Sequence, residues 1–291
     1  KKSGDIFPGW LSINSICDEN NDISHYVAFF FDITKQKESE AQIFKQANFD
    51  LLTGIENRFA FLEKLSHAVY SAKLNKIKSA LLYMDLDLFK EINDIYGHAF
   101  GDELLIQTST RLKSYIKGTD VVARISGDGF AILLNNIDSD GVVPYIITRI
   151  LVGFSKPFTI NNTLLDCSLS MGVVTFSNDA DDAGELMKKG ETAMYHAKDN
   201  GRNSYSFFTQ KMHNDAHHRL NLKNELSIAI KERNLSVVYQ PIICVSTERI
   251  CKFEALVRWK HKGEWISPAE FIPIAEEYFL IVALGEFVLS E

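Results

Sequence analysis

The chain has 291 residues, a formal net charge of −7 and an apolar fraction of 46%. This apolar content excludes wholesale disorder, and the length predicts about two domains. The acidic excess argues against a nucleic-acid partner, which would need a basic surface. It leaves a nucleotide ligand open, because a divalent cation can offset phosphate charge locally.

The chain opens with Lys1 and its first methionine is Met84, so we expect it to be a piece of a longer protein. No apolar run reaches the ~18 residues of a membrane-spanning helix, and no basic-plus-apolar leader is visible. We therefore expect a cytoplasmic chain with no membrane contact within this fragment and any tether outside it. The four cysteines form no Cys-x-x-Cys pair, which is typical of reduced thiols in that compartment.

The first predicted element is a β-hairpin. Apolar and polar residues alternate over 6–34, on either side of a polar connection at 18–22. Two strands alone do not make a stable fold, so the hairpin is expected to be the tail of a truncated domain or to pack on something outside the chain. The polar stretch 34–46 then predicts an exposed connecting helix.

From residue 49 to about residue 208, helical and strand patterns alternate, which predicts a central sheet with helices packed on it. The predicted helices cover 58–74, 89–96, 102–116, 144–154 and 183–198, and the predicted strands cover 80–84, 121–125, 130–134 and 167–175. Beyond a helix at 209–231, strands at 235–239, 242–245 and 250–256 and a helix around Gly285 predict the start of a further domain.

One candidate site lies where the strand at 80–84 runs into Asp85 and Asp87. Ligands of α/β sheets lie at strand ends, and Mg²⁺ is commonly held by one or two carboxylates plus phosphate oxygens. The alternative is that these acids are merely solvated or cap the next helix. The sequence alone leaves both interpretations open.

A second candidate is the turn from Ser126 to Gly129, where two glycines leave the backbone open to a ligand, although an Asp-Gly step is also a common plain turn. It can meet Asp85 only if the two strands are neighbours in the sheet. The third is the pair Lys198 and Arg202, which suits phosphate groups but equally fits a glycine-capped helix end. Together, the three candidates indicate a metal–nucleotide site.

Several stretches resemble, in order, the motifs of the GGDEF or diguanylate cyclase family. They are Asp50-Leu-Leu-Thr-Gly-Ile-Glu-Asn-Arg58, Asp85-Leu-Asp-Leu-Phe-Lys-Glu-Ile-Asn-Asp94 with Gly97-His98 and Gly101-Asp102, and Tyr195-His-Ala-Lys-Asp-Asn-Gly-Arg-Asn203. The resemblance implies an α/β (α+β) fold with a central, mostly antiparallel sheet flanked by helices, like the palm of nucleotide cyclases and polymerases. It also implies GTP as ligand or substrate, Mg²⁺ or Mn²⁺, and a homodimer that joins two GTP into cyclic di-GMP and releases pyrophosphate.

The resemblance assigns three kinds of contact to residues of this chain. The metal ligands would be Asp85, the carbonyl of Leu86, and Asp128. The guanine contacts would be Asn93 and Asp102. The phosphate contacts would be Lys90, Lys198 and Arg202.

The signature of the family is degenerate here. Where active members read Gly-Gly-Asp/Glu-Glu-Phe, this chain reads Ser126-Gly127-Asp128-Gly129-Phe130. Losing the glutamate should weaken the catalytic metal arrangement without touching the guanine and phosphate contacts, so we expect GTP to bind and to be cyclised poorly or not at all. The alternatives are that Asp128 suffices for slow catalytic turnover, or that the domain is a scaffold without nucleotide.

A second departure concerns product inhibition. Many family members carry Arg-x-x-Asp shortly before the signature, and this chain has Lys117-Gly-Thr-Asp120 there. Lysine lacks the planar fork that suits bidentate recognition of guanine or phosphate. We expect weak or absent inhibition by cyclic di-GMP through this degraded site.

The remaining segments resemble parts of other signalling domains. Residues 1–34 resemble the last strands of a PAS sensor, 35–48 a linker helix, 49–208 the GGDEF domain, 209–222 a second linker helix, and 223–291 the start of an EAL barrel, a cyclic di-GMP phosphodiesterase. In that family Glu254 would bind metal, and Gln240 and Arg258 would contact substrate. The remaining catalytic residues would lie beyond Glu291. We therefore expect the GGDEF domain to regulate an adjoining EAL domain, which would bind cyclic di-GMP, in response to a PAS input.

Overall fold

The computed structural model describes residues 6–17, 23–139, 141–178 and 182–291. The chain divides into two compact units, Lys1–Phe208 and Thr209–Glu291. The predicted hairpin connection at 18–22 lies outside the described residues. In the described part of the chain, no helix combines the length and the apolar character needed to cross a membrane.

The helices and strands alternate along the first unit as predicted. The strands are β1 (Gly9–Cys17), β2 (Ile23–Asp32), β3 (Ser79–Leu86), β4 (Val121–Ser126), β5 (Gly129–Leu134), β6 (Phe158–Ile160), β7 (Thr163–Leu165), β8 (Leu169–Phe176) and β9 (Tyr205–Phe207). The helices are α1 (Thr34–Asn48), α2 (Arg58–Asn75), α3 (Phe89–Tyr96), α4 (His98–Lys113), α5 (Val142–Phe154) and α6 (Ala183–Asp199). Strands β6, β7 and β9 were not predicted, because three-residue strands carry too little alternation to detect.

The predicted N-terminal hairpin is confirmed by the antiparallel pairing of β1 with β2, in which Trp10 lies opposite Phe31. Both of these side chains are more than half exposed, as is Phe29. Helix α1 buries none of its residues, so it is the exposed connecting helix that its polar sequence predicts. The resemblance of this segment to a PAS domain stays a prediction.

The centre of the first unit is a five-stranded sheet in the order β4-β5-β3-β8-β9. Its pairings are antiparallel except for the parallel pair of β8 and β9, which confirms the mostly antiparallel sheet. Because neighbouring residues of a strand face opposite sides, β3 contributes to two cores. Leu82 and Met84 pack in one core, while Leu81 and Tyr83 pack in the other.

The two cores place helices on both faces of the sheet. Helices α4 and α5 supply Leu104 and Ile147 to the first core, and α2 and α6 supply Phe61 and Met194 to the second. Asp85 follows Leu81 and Tyr83 at steps of two residues along β3, so it lies on the same face of the sheet, which α2 and α6 cover. The carboxylate at the end of β3 therefore faces the side on which α6 packs.

Helix α4 begins four residues earlier than predicted. The predicted helix began at Asp102, after Gly101, and glycine is unfavourable inside a helix. The structure shows why glycine is present: a Cβ at this position would lie 2.0 Å from Oδ1 of Asn93. Glycine at this position therefore leaves room for the Asn93 side chain of α3, which a larger residue would displace.

The second unit contains α7 (Gln210–Lys231), the sheet β10 (Leu235–Cys244), β11 (Arg249–His261) and β12 (Glu264–Ile266), and the helices α8 (Pro268–Glu277) and α9 (Ile281–Ser290). The two strands predicted at 235–239 and 242–245 are one strand, which was broken wrongly at Pro241. Proline is tolerated there because, among the described strands, β10 pairs with β11 alone and lies at the edge of the sheet. The core of this unit includes Trp259 and Phe271, both buried.

Close contact between β8 and α6 leads to a stability prediction. A Cβ at Gly172 would lie 1.9 Å from the carbonyl oxygen of Gly190, a backbone atom that side-chain rotation cannot move away. We expect Gly172→Ala to lower the free energy of unfolding by about 3 kcal/mol, measured in urea. The control Gly118→Ala, where no atom lies within 4 Å, should change it by less than about 0.5 kcal/mol. Equal effects of the two substitutions would contradict this packing.

Candidate nucleotide and metal site

The site is built around the register of β3 and β5. Asp85, near the end of β3, pairs with Gly129, the first residue of β5. Gly129 also pairs with Ser126, so the signature turn lies directly beside Asp85. The strand that ends at Asp85 and the strand that follows the signature turn are therefore neighbours in the sheet, as the meeting of these two candidate sites requires. Leu86 ends β3, and its side chain is buried in the core.

Lys198, in the last turn of α6, reaches the same carboxylate. Its Nζ lies 3.1 Å from Oδ2 of Asp85, and both side chains are about one-fifth exposed, at 22% and 18%. Oδ1 of Asp85 is buried and accepts no hydrogen bond from a described residue. Burial, and then the nearby Asp128 carboxylate, raise the pKa of Asp85 to about 7, against the lowering effect of Lys198.

This arrangement fits a divalent cation. Two neighbouring ionised carboxylates repel each other, so the pair Asp85 and Asp128 is stabilised by a proton or by a cation close to both. Among the described residues there is no group of three or more His, Cys, Asp or Glu side chains placed to hold a metal. Mg²⁺ does not require one, because it commonly takes one or two carboxylates and completes its shell with water and phosphate oxygens.

Asp87 does not share this site, although it stands only two residues from Asp85. Its side chain is buried, and its oxygens accept hydrogen bonds from the hydroxyls of Ser168 and Ser170 at 2.6 and 2.7 Å. The backbone N–H of Asn203 donates a third bond at 3.0 Å. Neither proposed alternative for this acid is right, because it is neither solvated nor a cap of the next helix.

The signature turn is supported from a distant motif. Nε of Arg124 donates to the carbonyl of Gly127 at 2.8 Å, and its Nη1 lies 3.2 Å from Oδ1 of Asp50. Although burial of Asp50 raises its pKa, hydrogen bonds from Thr53 and then the Arg124 charge hold it below its usual value. Sequence reasoning missed Arg124, since nothing local indicates that it reaches a residue 74 positions away.

The position of the missing glutamate is tight. A Cβ on Gly129 would lie 3.1 Å from the carbonyl oxygen of Ser126 and 3.8 Å from the hydroxyl of Tyr83. Burial, followed by the charge of Glu191, raises the pKa of Tyr83 to about 12, so the phenol stays protonated. Phe130, the last residue of the signature, is buried in the core. A side chain at Gly129 thus requires the turn to shift by a few tenths of an ångström.

The predicted guanine contacts lie on adjacent helices. Asn93 is on α3 and Asp102 is in the first turns of α4, where Gly97, with φ 86°, separates the two helices. Oδ1 of Asn93 is buried and has no hydrogen-bond partner among the described residues. Asp102 is exposed. An unpaired buried acceptor is unfavourable in the free protein and favours a ligand that donates to it.

The predicted phosphate contacts are split between two elements. Lys90 is exposed at the start of α3, and Arg202 is exposed in the turn after α6. Gly201 there has φ 106° and its N–H bonds to the carbonyl of Lys198, so the glycine-terminated helix end is also present. The two interpretations of this segment are compatible, because the helix end is what places Lys198 at Asp85.

The degraded inhibitory site uses its carboxylate internally. Asp120 accepts the N–H of Lys117 at 3.0 Å and the N–H of Asn135 at 3.1 Å. These bonds close the turn and join it to the end of β5. Weak product inhibition stays a prediction.

In the second unit, the predicted EAL residues share one sheet face. Gln240 lies opposite Glu254 in the register of β10 and β11, and Arg258 follows Glu254 by four residues of the same strand. Because side chains alternate along a strand, all three lie on the same side. Gln240 and Glu254 are exposed, and Arg258 is half-buried. Their roles stay predictions.

Comparison with known proteins defines the family. Residues 47–204 match the model of the diguanylate cyclase, GGDEF domain, and residues 223–291 match that of the EAL domain. MucR of Pseudomonas aeruginosa, a bifunctional diguanylate cyclase/cyclic di-GMP phosphodiesterase, is 36% identical over 262 residues, 89% of this chain and 38% of MucR. PdeR of Escherichia coli, a cyclic di-GMP phosphodiesterase, is 36% identical over 261 residues, 89% of this chain and 39% of PdeR.

Solved structures agree with this assignment. The GGDEF domain of TpbB (YfiN) from Pseudomonas aeruginosa superposes with a TM-score of 0.56 at 32% identity, covering 58% of this chain and 99% of that domain. The coiled coil and GGDEF domain of DgcB from Caulobacter crescentus, in complex with c-di-GMP, gives 0.55 at 25% identity, covering 60% and 93%. The chain belongs to the GGDEF family and continues into an EAL segment. It spans less than half of the length of MucR and PdeR.

The raised pKa of Asp85 predicts pH-dependent stability of the metal-free protein. Between about pH 4 and pH 7, the folded protein holds a proton that the unfolded chain has released, so the free energy of unfolding falls as the pH rises. Asp85→Asn mimics the protonated form. We expect this variant to be more stable than the wild-type protein at pH 8 by about 1–3 kcal/mol, and nearly equal at pH 5, in urea titrations. A stability difference that does not change with pH would contradict the raised pKa.

Proposed function

We propose that the GGDEF domain binds GTP with Mg²⁺ or Mn²⁺, cyclises it poorly or not at all, and regulates an adjoining EAL phosphodiesterase in response to a PAS input. One observation carries the proposal. Asp85 keeps a buried, unpaired oxygen and a lysine partner, while the position opposite it, where active members carry glutamate, is Gly129. The residues that would bind the ligand are kept, and one that would drive its chemistry is missing.

Retention of binding is supported by the unpaired groups around the site. Oδ1 of Asn93 is a buried acceptor without a partner among the described residues, which suits the N–H donors of a guanine edge. Arg202 and Lys90 form no ion pair with a described residue, so both are available for phosphate oxygens. Lys198 would exchange its contact with Asp85 for phosphate once a cation takes over the carboxylate.

Loss of turnover is supported by the chemistry of phosphoryl transfer. Such reactions depend on positioning and on metal ions that stabilise charge on the phosphoryl oxygens. Asp85 and Asp128 remain as carboxylates, and Gly129 offers none. The metal would supply neutralisation of phosphate charge, whereas the chain's own residues would hold the guanine and the phosphates. A weakened metal arrangement reduces catalysis more than it reduces binding.

The second candidate function is a weakly active diguanylate cyclase. It is favoured by the pair Asp85 and Asp128, which lie close enough for one to raise the pKa of the other. Both activities occur in the names of relatives, since MucR is bifunctional and PdeR is a phosphodiesterase. Cyclisation would require two copies to face each other, and we propose a homodimer.

The EAL segment extends the proposal to a second ligand. Cyclic di-GMP would bind through the complete EAL domain, with Glu254 as a metal ligand and Gln240 and Arg258 as substrate contacts. Their common sheet face is compatible with a single site. We further propose that the protein works in the cytoplasm, where GTP is available, and that no nucleic acid is involved.

Nucleotide binding is tested by calorimetry with GTP and ATP in the presence of Mg²⁺. We expect the wild-type chain to bind GTP in preference to ATP, and Asn93→Ala to weaken GTP binding about tenfold, because a buried hydrogen bond to the base is lost. Asn214→Ala, an exposed asparagine on α7, serves as the matched control and should leave the affinity unchanged. Absence of heat at millimolar GTP would leave only a scaffold without nucleotide.

The missing glutamate is tested by restoring it. We expect the double substitution Ser126→Gly and Gly129→Glu to form cyclic di-GMP from GTP and Mn²⁺ at least about tenfold faster than the wild-type chain, because it returns a carboxylate to the metal site. The glycine at position 126 gives the turn freedom to accept the new Cβ. Ser126→Gly with Gly129→Gln, of equal size but without charge, is the control. Slow but clear product formation by the wild-type chain would establish the weakly active cyclase instead.

A further inference from the structure

Asp87 has no part in the proposed metal site, yet it is the one charged residue that is buried among the described residues. We propose that Asp87 is a positioning residue: it holds the turn at 200–204 so that Arg202 is presented to the phosphates of the nucleotide. The contact that carries this inference is the bond from the N–H of Asn203 to Oδ2 of Asp87 at 3.0 Å. The inference rests on the proposed GTP binding.

Asp87 joins three segments that are far apart in the chain. Its own N–H donates to the carbonyl of Ser168, and its carboxylate accepts from the hydroxyls of Ser168 and Ser170. Ser170 lies opposite Asp85 in the register of β3 and β8. The residue beside the proposed metal ligand is therefore also bonded to the acid that holds the turn. The turn is thus fixed relative to the end of β3.

The backbone of the turn needs such support. Arg202 and Asn203 follow each other with φ of 61° and 45°, in the left-handed region that arginine rarely adopts. Conformations of this kind persist only where the surrounding structure holds them. The N–H of Arg202 bonds to the carbonyl of Ala197, and the N–H of Met171 bonds to the carbonyl of Ser204. Between these two backbone bonds, the carboxylate of Asp87 accepts the N–H of Asn203.

The guanidinium of Arg202 has no hydrogen bond or ion pair with a described residue, so its position depends on the backbone that carries it. If the turn relaxes, the cation moves away from the site defined by Asp85 and Lys198. Misplacement of a charged contact by about 1 Å is sufficient to impair binding and catalysis. Asp87 would thus act on phosphate binding without touching the phosphate.

The competing role, that of a metal ligand, makes a different demand on the side chain. A metal ligand needs the negative charge, whereas the turn needs only an acceptor of the right shape. Asparagine supplies that acceptor: its carbonyl can accept from Asn203 and Ser168, and its amide can donate to the hydroxyl of Ser170. Alanine supplies no acceptor and leaves the N–H of Asn203 without its bond to the side chain at position 87.

The test compares Asp87→Ala, Asp87→Asn and Asp85→Asn in two measurements. GTP affinity is measured by calorimetry with Mg²⁺, and amide hydrogen exchange of residues 200–204 is followed in the protein without nucleotide. We expect Asp87→Ala to weaken GTP binding about tenfold and to speed exchange in the turn. Asp87→Asn should restore most of both, while Asp85→Asn should lose metal-dependent GTP binding and keep the protection of the turn.

The double variant Asp87→Ala with Arg202→Ala tests whether Asp87 acts on GTP binding through Arg202. If Asp87 acts through Arg202, adding Asp87→Ala to Arg202→Ala should weaken GTP binding by less than about twofold further, because the two substitutions remove one interaction. Full additivity would overturn the inference. So would an Asp87→Asn variant that loses as much affinity as Asp85→Asn, because charge and not shape would then matter.

The outcomes separate this inference from the proposed function. If the wild-type chain gives no heat with GTP, the proposed function fails, and the exchange measurement still decides whether Asp87 holds the turn. If GTP binds and Asp87→Ala leaves both exchange and affinity unchanged, the positioning role fails alone. Should Asp87→Ala not fold, the comparison of Asp87→Asn with Asp85→Asn decides.

Discussion

The pairing of Asp85 with Gly129 is the constraint on which the site depends. It places a carboxylate at the end of a buried strand, beside a turn that carries a second carboxylate at Asp128. A charged group in this position is unfavourable unless a cation offsets it, and Lys198 does so only from one side. The surrounding elements can be understood as supports that keep this arrangement in place without a ligand.

Those supports come from opposite ends of the domain. Arg124 links the signature turn to Asp50, near the beginning of the domain, and Asp87 links the end of β3 to the turn that follows α6. Each uses a charged side chain with hydrogen bonds to backbone groups of a turn. None of these contacts involves the side chain at position 129, so they are compatible with the proposal that nucleotide binding is kept while turnover is reduced.

Much of the fold follows from local patterns. The apolar run before Asp85 and the Asp-Gly step after Ser126 predict the strands of the site, and Gly97 marks the end of α3 where the structure has it. The role of Asp87 was not accessible, because its partners lie more than 80 residues away in the chain. The contact of Arg124 with Asp50 was not accessible for the same reason, because 74 residues separate them. The closeness of Gly101 to Asn93 was not accessible either, because it depends on how α3 and α4 lie against each other.

A site that binds GTP in order to regulate rather than to react should show this behaviour in the natural full-length protein. Hydrolysis of cyclic di-GMP is followed while GTP and Mg²⁺ are added, and the fate of the GTP is measured in the same sample. We expect GTP to change the rate of hydrolysis, to remain largely unconverted, and to have no effect in Asp85→Asn. Hydrolysis that is indifferent to GTP, or rapid conversion of GTP into cyclic di-GMP, would contradict a regulatory role of the site.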